Sequence, residues 1–154
     1  MLETPHVAVG IAIATKFPNP WVSIPLALAS HFILDKVPHW NPHTYTETQR
    51  LGRPSQKTVT LTIIDIIFSL GLGFGAANSV LPNIPLALTI ITCSLASVLP
   101  DVSKYPFFLF KKTRKGFYKK WVLFERSMQV ETKSPFWGLL TQVFVILASY
   151  IWII

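Results

Sequence analysis

Acidic side chains are scarce in this chain: seven among 154 residues, against fourteen lysines and arginines. Charged residues of both signs make up only 14% of the sequence, where a soluble domain carries about 25%. Hydrophobic residues reach 51%, and mean hydropathy is +0.45. With several long apolar runs, that balance describes a small integral membrane protein, and its length suits one helical domain over residues 1–154. The one cysteine, Cys93, lies in "ITCSLASVL". It excludes an internal disulfide and a cysteine-cluster metal site, and leaves the redox compartment open. There is no G-x-S-x-G, no P-loop and no HExxH, so the usual serine-hydrolase, nucleotide-binding and zincin signatures are missing. The first 16 residues have no basic n-region, and Glu3 is the only charge before Lys16, so no secretory signal peptide is expected there. The net charge of +7 fits nucleic acid or an anionic membrane face. The apolar content favours the membrane, and no nucleic-acid partner is expected.

Thr4-Pro5 reads as an N-cap with proline at the first helical position. The short helix "HVAVGIAIATKF" follows, too short for the roughly 20 residues a crossing needs. "FPNP" turns the chain into a second helix from about Trp21 to Asp35, stopped by Pro38. These two helices form a hairpin that dips into the membrane or packs on longer helices. Residues 41–57 are polar and aperiodic, which predicts a surface loop. Thr58 to Leu81 is the longest apolar run and spans, with Gly71 and Gly75 at the spacing of close helix contact. "PNIP" turns it, "LALTIITCSLASVLP" returns it, and Pro100-Asp101 is expected to end it. On a helix starting near Arg114, Phe117, Trp121, Phe124 and Met128 form one stripe with basic residues elsewhere, the pattern of an interfacial amphipathic helix. Pro135 opens a last spanning helix. The expected fold is an all-α membrane bundle of about five or six helices, with two short N-terminal helices and one interfacial helix.

Residues 102–133 carry nine of the fourteen basic residues, and Lys36, Arg50, Arg53 and Lys57 precede the third helix. Both segments lie at one end of a helical hairpin, and the positive-inside rule makes that end cytoplasmic. The sparse ionisable residues map to the same end. His31 and Asp35, at i and i+4, share a helical face. His6 opens the first helix, and His39 and His43 follow the second. Asp101 closes the fourth helix. Asp65 lies in "TIIDIIF", where a carboxylate costs roughly 2.5–3.5 kcal/mol on insertion scales. Imidazoles and carboxylates together suit a divalent metal, zinc first, with manganese or iron as alternatives. The candidate ligands are His6, His31, Asp35, His39 and Asp101. Asp65 and Glu125 are the candidates to complete the shell or act as general base. Lys111, Lys112, Arg114, Lys115, Lys119 and Lys120 are the candidates to hold anionic lipid head groups.

"TPHVAVGIAIA" resembles the Thr-His-x-x-x-Gly signature of bacterial inner-membrane metal-dependent hydrolases of the LexA-regulated group. "SHFILDKVPHW" resembles their His-Ser-x-x-Asp helix end and is similar to a motif of the zinc-dependent phospholipase C group. "ASVLPDVSK" resembles their Leu-Pro-Asp-x-Asp-His segment, with Val-Ser-Lys after Pro100-Asp101 in place of the second aspartate and the histidine. The resemblance implies a metal-dependent hydrolase of a bacterial-type inner membrane, with His6, His31, Asp35 and Asp101 as ligands. The expected activity is on phosphate esters or lipid head groups. The alternatives from the residues alone are a scaffold subunit with a structural polar cluster and a small transporter subunit using Asp65.

Overall fold

In a computed structural model, which describes residues 1–154, all regular structure is helical. The helices are α1 (Glu3–Lys16), α2 (Pro20–Leu34), α3 (Thr44–Leu51), α4 (Gln56–Ser79), α5 (Ile84–Val102), α6 (Tyr105–Leu109), α7 (Gly116–Met128) and α8 (Pro135–Ile153). Three stretches are long and apolar enough to cross a membrane: Gln56–Ser79, Ile84–Leu109 and Pro135–Ile153.

The centre of the bundle is α1, the helix with too few residues to span. It is buried along most of its length and packs against α2, α4, α5 and α8. Small residues allow the approach. A Cβ on Gly10 would meet the Cys93 carbonyl oxygen at 2.9 Å and Ser97 Oγ at 3.0 Å, so only glycine lets α1 and α5 pack this tightly. The outer helices are inside-out by soluble standards. On α4, Thr58, Asp65, Ser69, Gly73 and Ala77 face inward, while Ile63, Ile67, Phe68 and Phe74 are exposed. On α8 the buried residues are Gly138, Gln142 and Ser149. Small and polar residues inside with large apolar ones outside is the arrangement that lipid favours, because tails solvate leucine as well as a core does.

Three expectations need correction. Thr4 does not cap α1; Leu2 holds the N-cap position and makes no side-chain cap bond. Residues 41–57 are not all loop, since Thr44–Leu51 is helical, ended by Gly52 in the left-handed region (φ 75°). That helix is short and polar, and is held by tertiary contacts: Tyr45 stacks on Phe107, and the Arg126 guanidinium lies over the Tyr45 ring. Pro100 does not end α5. The helix runs through it to Val102, and α6 follows almost at once. The interfacial helix expected near Arg114 runs from Gly116 to Met128.

The polar end is tied together by the chain after α7. The Val130 amide donates to the Asp35 carbonyl (2.8 Å), the His39 amide to the Val130 carbonyl (3.1 Å), and the Thr132 amide to the His39 carbonyl (2.8 Å). From α8, Thr141 Oγ1 donates to the Pro38 carbonyl at 2.7 Å and Gln142 Nε2 to the Trp40 carbonyl at 2.9 Å. The connection after α2 is thus held between the chain after α7 and one face of α8.

Candidate metal centre

Five of the seven acidic residues, Glu3, Asp35, Asp65, Asp101 and Glu125, are buried at one end of the bundle. Three of the four histidines, His6, His31 and His39, are buried with them. The elements converge for separate local reasons. His6 comes from the second turn of α1, His31 from the last turn of α2, and Asp35 is the C-cap of α2. Asp101 is in the last turn of α5, and Glu125 is on the inward face of α7 with Val122.

Two trios bring one ligand atom from each member within 4.8 Å of the others: His6, His31 and Asp101, and His31, Asp35 and Glu125. His31 is common to both. Its Nδ1 lies 2.8 Å from the Ser97 carbonyl oxygen. A carbonyl only accepts, so Nδ1 carries the proton and Nε2 keeps its lone pair. Metal-binding histidines are oriented this way. Nε2 lies 3.4 Å from Asp35 Oδ2 and 3.5 Å from Glu125 Oε1. The His6 and His31 rings stack with centroids 4.2 Å apart.

Polar atoms here lack hydrogen-bond partners. Both ring nitrogens of His6, Nε2 of His31, Oδ2 of Asp101 and Oε2 of Glu3 are buried without one. A buried polar group without a partner costs on the order of 1–3 kcal/mol, so several in one place is the pattern of a site built for something that binds. Burial lowers the His6 pKa to about 4, which keeps the ring neutral and its lone pair available. Burial alone would lower His31 too, but Glu125, Asp101 and Asp35 outweigh it and leave its pKa raised. The same carboxylates that favour a proton on His31 would favour a bound cation in its place.

Other residues are differently placed. His39 is buried beside the trios, with Nε2 3.8 Å from Asp35 Oδ1 and Nδ1 2.7 Å from the Val37 carbonyl. It belongs to neither trio. His43 is exposed. Asp65 is committed elsewhere: it accepts from the Glu3 amide at 2.6 Å, the Thr4 amide at 3.2 Å and Thr4 Oγ1 at 2.6 Å. It supplies from α4 the cap that α1 lacks in its own sequence.

Sequence reasoning passed over several participants. Lys104 pairs with both Asp101 and Glu125. Gln129 Nε2 bridges Asp35 Oδ2 at 3.2 Å and Glu125 Oε1 at 3.1 Å. Tyr105 donates its hydroxyl to Glu3 Oε1 at 3.2 Å. The Met1 nitrogen lies 2.6 Å from Asp35 Oδ1. Lys104 was hidden in the count of basic residues, although it is the first cation after a long run that has none and follows Asp101 by three residues. Gln142, which accepts from the Leu2 amide at 2.9 Å, had a legible signal: an amide side chain in an apolar spanning run.

A cavity of about 120 Å³ opens beside the trios, lined among others by Asp101, Lys104, Tyr105, Glu125, Arg126 and Gln129. Ligand pockets for drug-sized molecules run to about 300–1,000 Å³, so this one suits a single small polar group. Of the six candidate head-group cations, five are exposed. Arg114 is turned inward, donating to the Phe107 and Phe108 carbonyls, both at 3.1 Å. Beside them Phe117 and Phe124 are exposed aromatics.

Comparison with family models, with curated proteins and with solved structures finds no match to this chain.

Proposed function

We propose that this protein is a membrane-embedded, metal-dependent hydrolase acting on phosphate esters or lipid head groups. The observation that carries the reading is the set of buried, unpartnered ligand atoms on His6, His31 and Asp101 within one trio. These donors fit a divalent ion: two neutral imidazoles and carboxylates are a borderline ligand set that zinc accepts, as do manganese and iron. His6, His31 and Asp101 would hold it, with Asp35 or Glu125 completing the shell. Bound there, such an ion supplies Lewis acidity and activates water near neutral pH.

The chain's own groups supply the rest. Glu125 is the residue suited to move a proton. Its Oε1 accepts from Lys104 and Gln129, while Oε2 takes no part in these bonds and the residue borders the cavity. Lys104 and Arg126, also on the cavity wall, suit phosphate oxygens. The exposed Lys111, Lys112, Lys115, Lys119 and Lys120 hold anionic head groups at the surface, and the aromatics of α7 sit in the interface. In this reading the basic end faces the cytoplasm of a bacterial-type inner membrane, and the resemblance in "TPHVAVGIAIA", "SHFILDKVPHW" and "ASVLPDVSK" supports a metal-dependent hydrolase.

A second reading has support from one observation. Lys104 already neutralises Asp101 and Glu125, which a purely structural polar cluster in a scaffold subunit would also require. The transporter reading rested on Asp65, whose oxygens are occupied by α1.

Elemental analysis of untagged protein in mild detergent separates the two. About one transition metal per chain, lost in His31→Ala/Asp35→Ala, supports the hydrolase and opens a phosphoesterase and lipid screen in which Asp35→Asn is inactive. Absence of metal in well-folded wild-type protein leaves the scaffold.

A further inference from the structure

The two trios raise a question of capacity. The trios contain three buried carboxylates, Asp35, Asp101 and Glu125, and three carboxylates could hold more than one ion. Yet both trios depend on His31, whose Nδ1 is given to the Ser97 carbonyl. Nε2 has a single lone pair, and one lone pair serves one ion. The trios are therefore alternative ways to hold the same ion, and a second ion would need the remaining carboxylate edges. The edge between Asp101 Oδ1 and Glu125 Oε1 is spanned by the Lys104 ammonium, which bonds to both.

We propose that Lys104 is a resident second cation: its ammonium takes the position between Asp101 and Glu125, limits the centre to one divalent ion, and offers substrate phosphate a fixed positive charge. The proposal rests on the metal reading above. The geometry separates the roles of the two Asp101 oxygens. Oδ1 is paired with Lys104, while Oδ2 is buried and unpartnered. One oxygen serves the tethered cation and the other is left for an ion held with His6 and His31. Glu125 divides likewise, with Oε1 taken by Lys104 and Gln129. Lys104 lines the cavity together with Arg126, so its charge would be available to a small anionic group that entered it. An ammonium is a point charge that carries its own tether; unlike a second metal ion, it is not lost to a chelator.

The test counts ions. Wild-type protein, Lys104→Met, Lys104→Gln and Lys104→Arg are stripped with chelator, titrated with Mn²⁺ in detergent and read by elemental analysis and electron paramagnetic resonance. The expected result is one Mn²⁺ in the wild type and Lys104→Arg. Lys104→Met and Lys104→Gln bind a second, with the spin coupling of a paired centre. If the two neutral variants fold only when Mn²⁺ is supplied, and then hold two ions, the proposal also stands. One ion in all four proteins overturns it, as does failure of Mn²⁺ to rescue unfolded neutral variants. Two ions in the wild type overturn it while leaving the metal reading intact. No ion in folded wild-type protein overturns the metal reading itself, and this proposal with it.

Discussion

Asp65 and Asp35 show how similar carboxylates acquire different work from their neighbours. Asp65 faces backbone amides at the start of α1, where the helix dipole and free N–H groups favour a negative charge. Asp35 faces the imidazoles of His6 and His31, at 3.5 Å and 3.4 Å. Removing them has different consequences. Asp65→Ala strands the Glu3 and Thr4 amides in a buried site, at a cost of about 1–3 kcal/mol. It is expected to lower the thermal midpoint and leave metal content unchanged. Asp35→Ala is expected to lose metal. Thermal unfolding in detergent with parallel elemental analysis checks both. Metal loss in Asp65→Ala, in protein that is still folded, would make Asp65 a ligand after all.

The hydrophobic runs and turn residues made the long helices legible as elements, because lipid leaves little alternative to a helix for an apolar stretch of that length. The i, i+4 pair of His31 and Asp35 was legible for the same reason: periodicity fixes which residues share a face. The packing order was not legible. Sequence treats α1 as a short piece beside the bundle, yet it is the bundle's axis, because Gly10 and the small residues around it let α5 close in. Nor could sequence say that Asp65 caps another helix, or that Lys104 turns inward while Lys111 and Lys112 remain exposed, since tertiary contacts decide both. The close approach is testable. Gly10→Ala places a methyl group against the backbone of α5, and overpacking of this kind costs about 1–3 kcal/mol. The α5 segment it displaces includes Ser97, whose carbonyl orients His31. A lower thermal midpoint together with weaker metal binding is therefore expected. A Gly10→Ala protein with unchanged affinity in a metal titration would show that the α1–α5 contact supports the fold but not the ligand geometry.

At the scale of the whole molecule, charge and site lie at the same end. Thirteen of the fourteen lysines and arginines are in the segments joined to that end; Lys16 alone closes α1 at the other, where Phe17 meets Trp152 of α8. The three stretches long and apolar enough to cross a membrane follow one another through the hairpin of α4 and α5 and the return through α8. A biased distribution of Lys and Arg over short loops sets the orientation of such a bundle. The site should then open on the cytoplasmic face, with the α4–α5 turn outside. In a Cys93→Ser background, Lys112→Cys and Asn83→Cys report from opposite ends, since both positions are exposed. A membrane-impermeant maleimide added to intact cells is expected to label Asn83→Cys and to spare Lys112→Cys until the membrane is opened. The reverse pattern would put the trios and their basic surround outside, where the substrate would have to be an outer-face head group rather than a cytoplasmic phosphate ester. Labelling of both from outside would break the pairing of α4 and α5 as a membrane hairpin and with it the argument that one face holds both charge and chemistry.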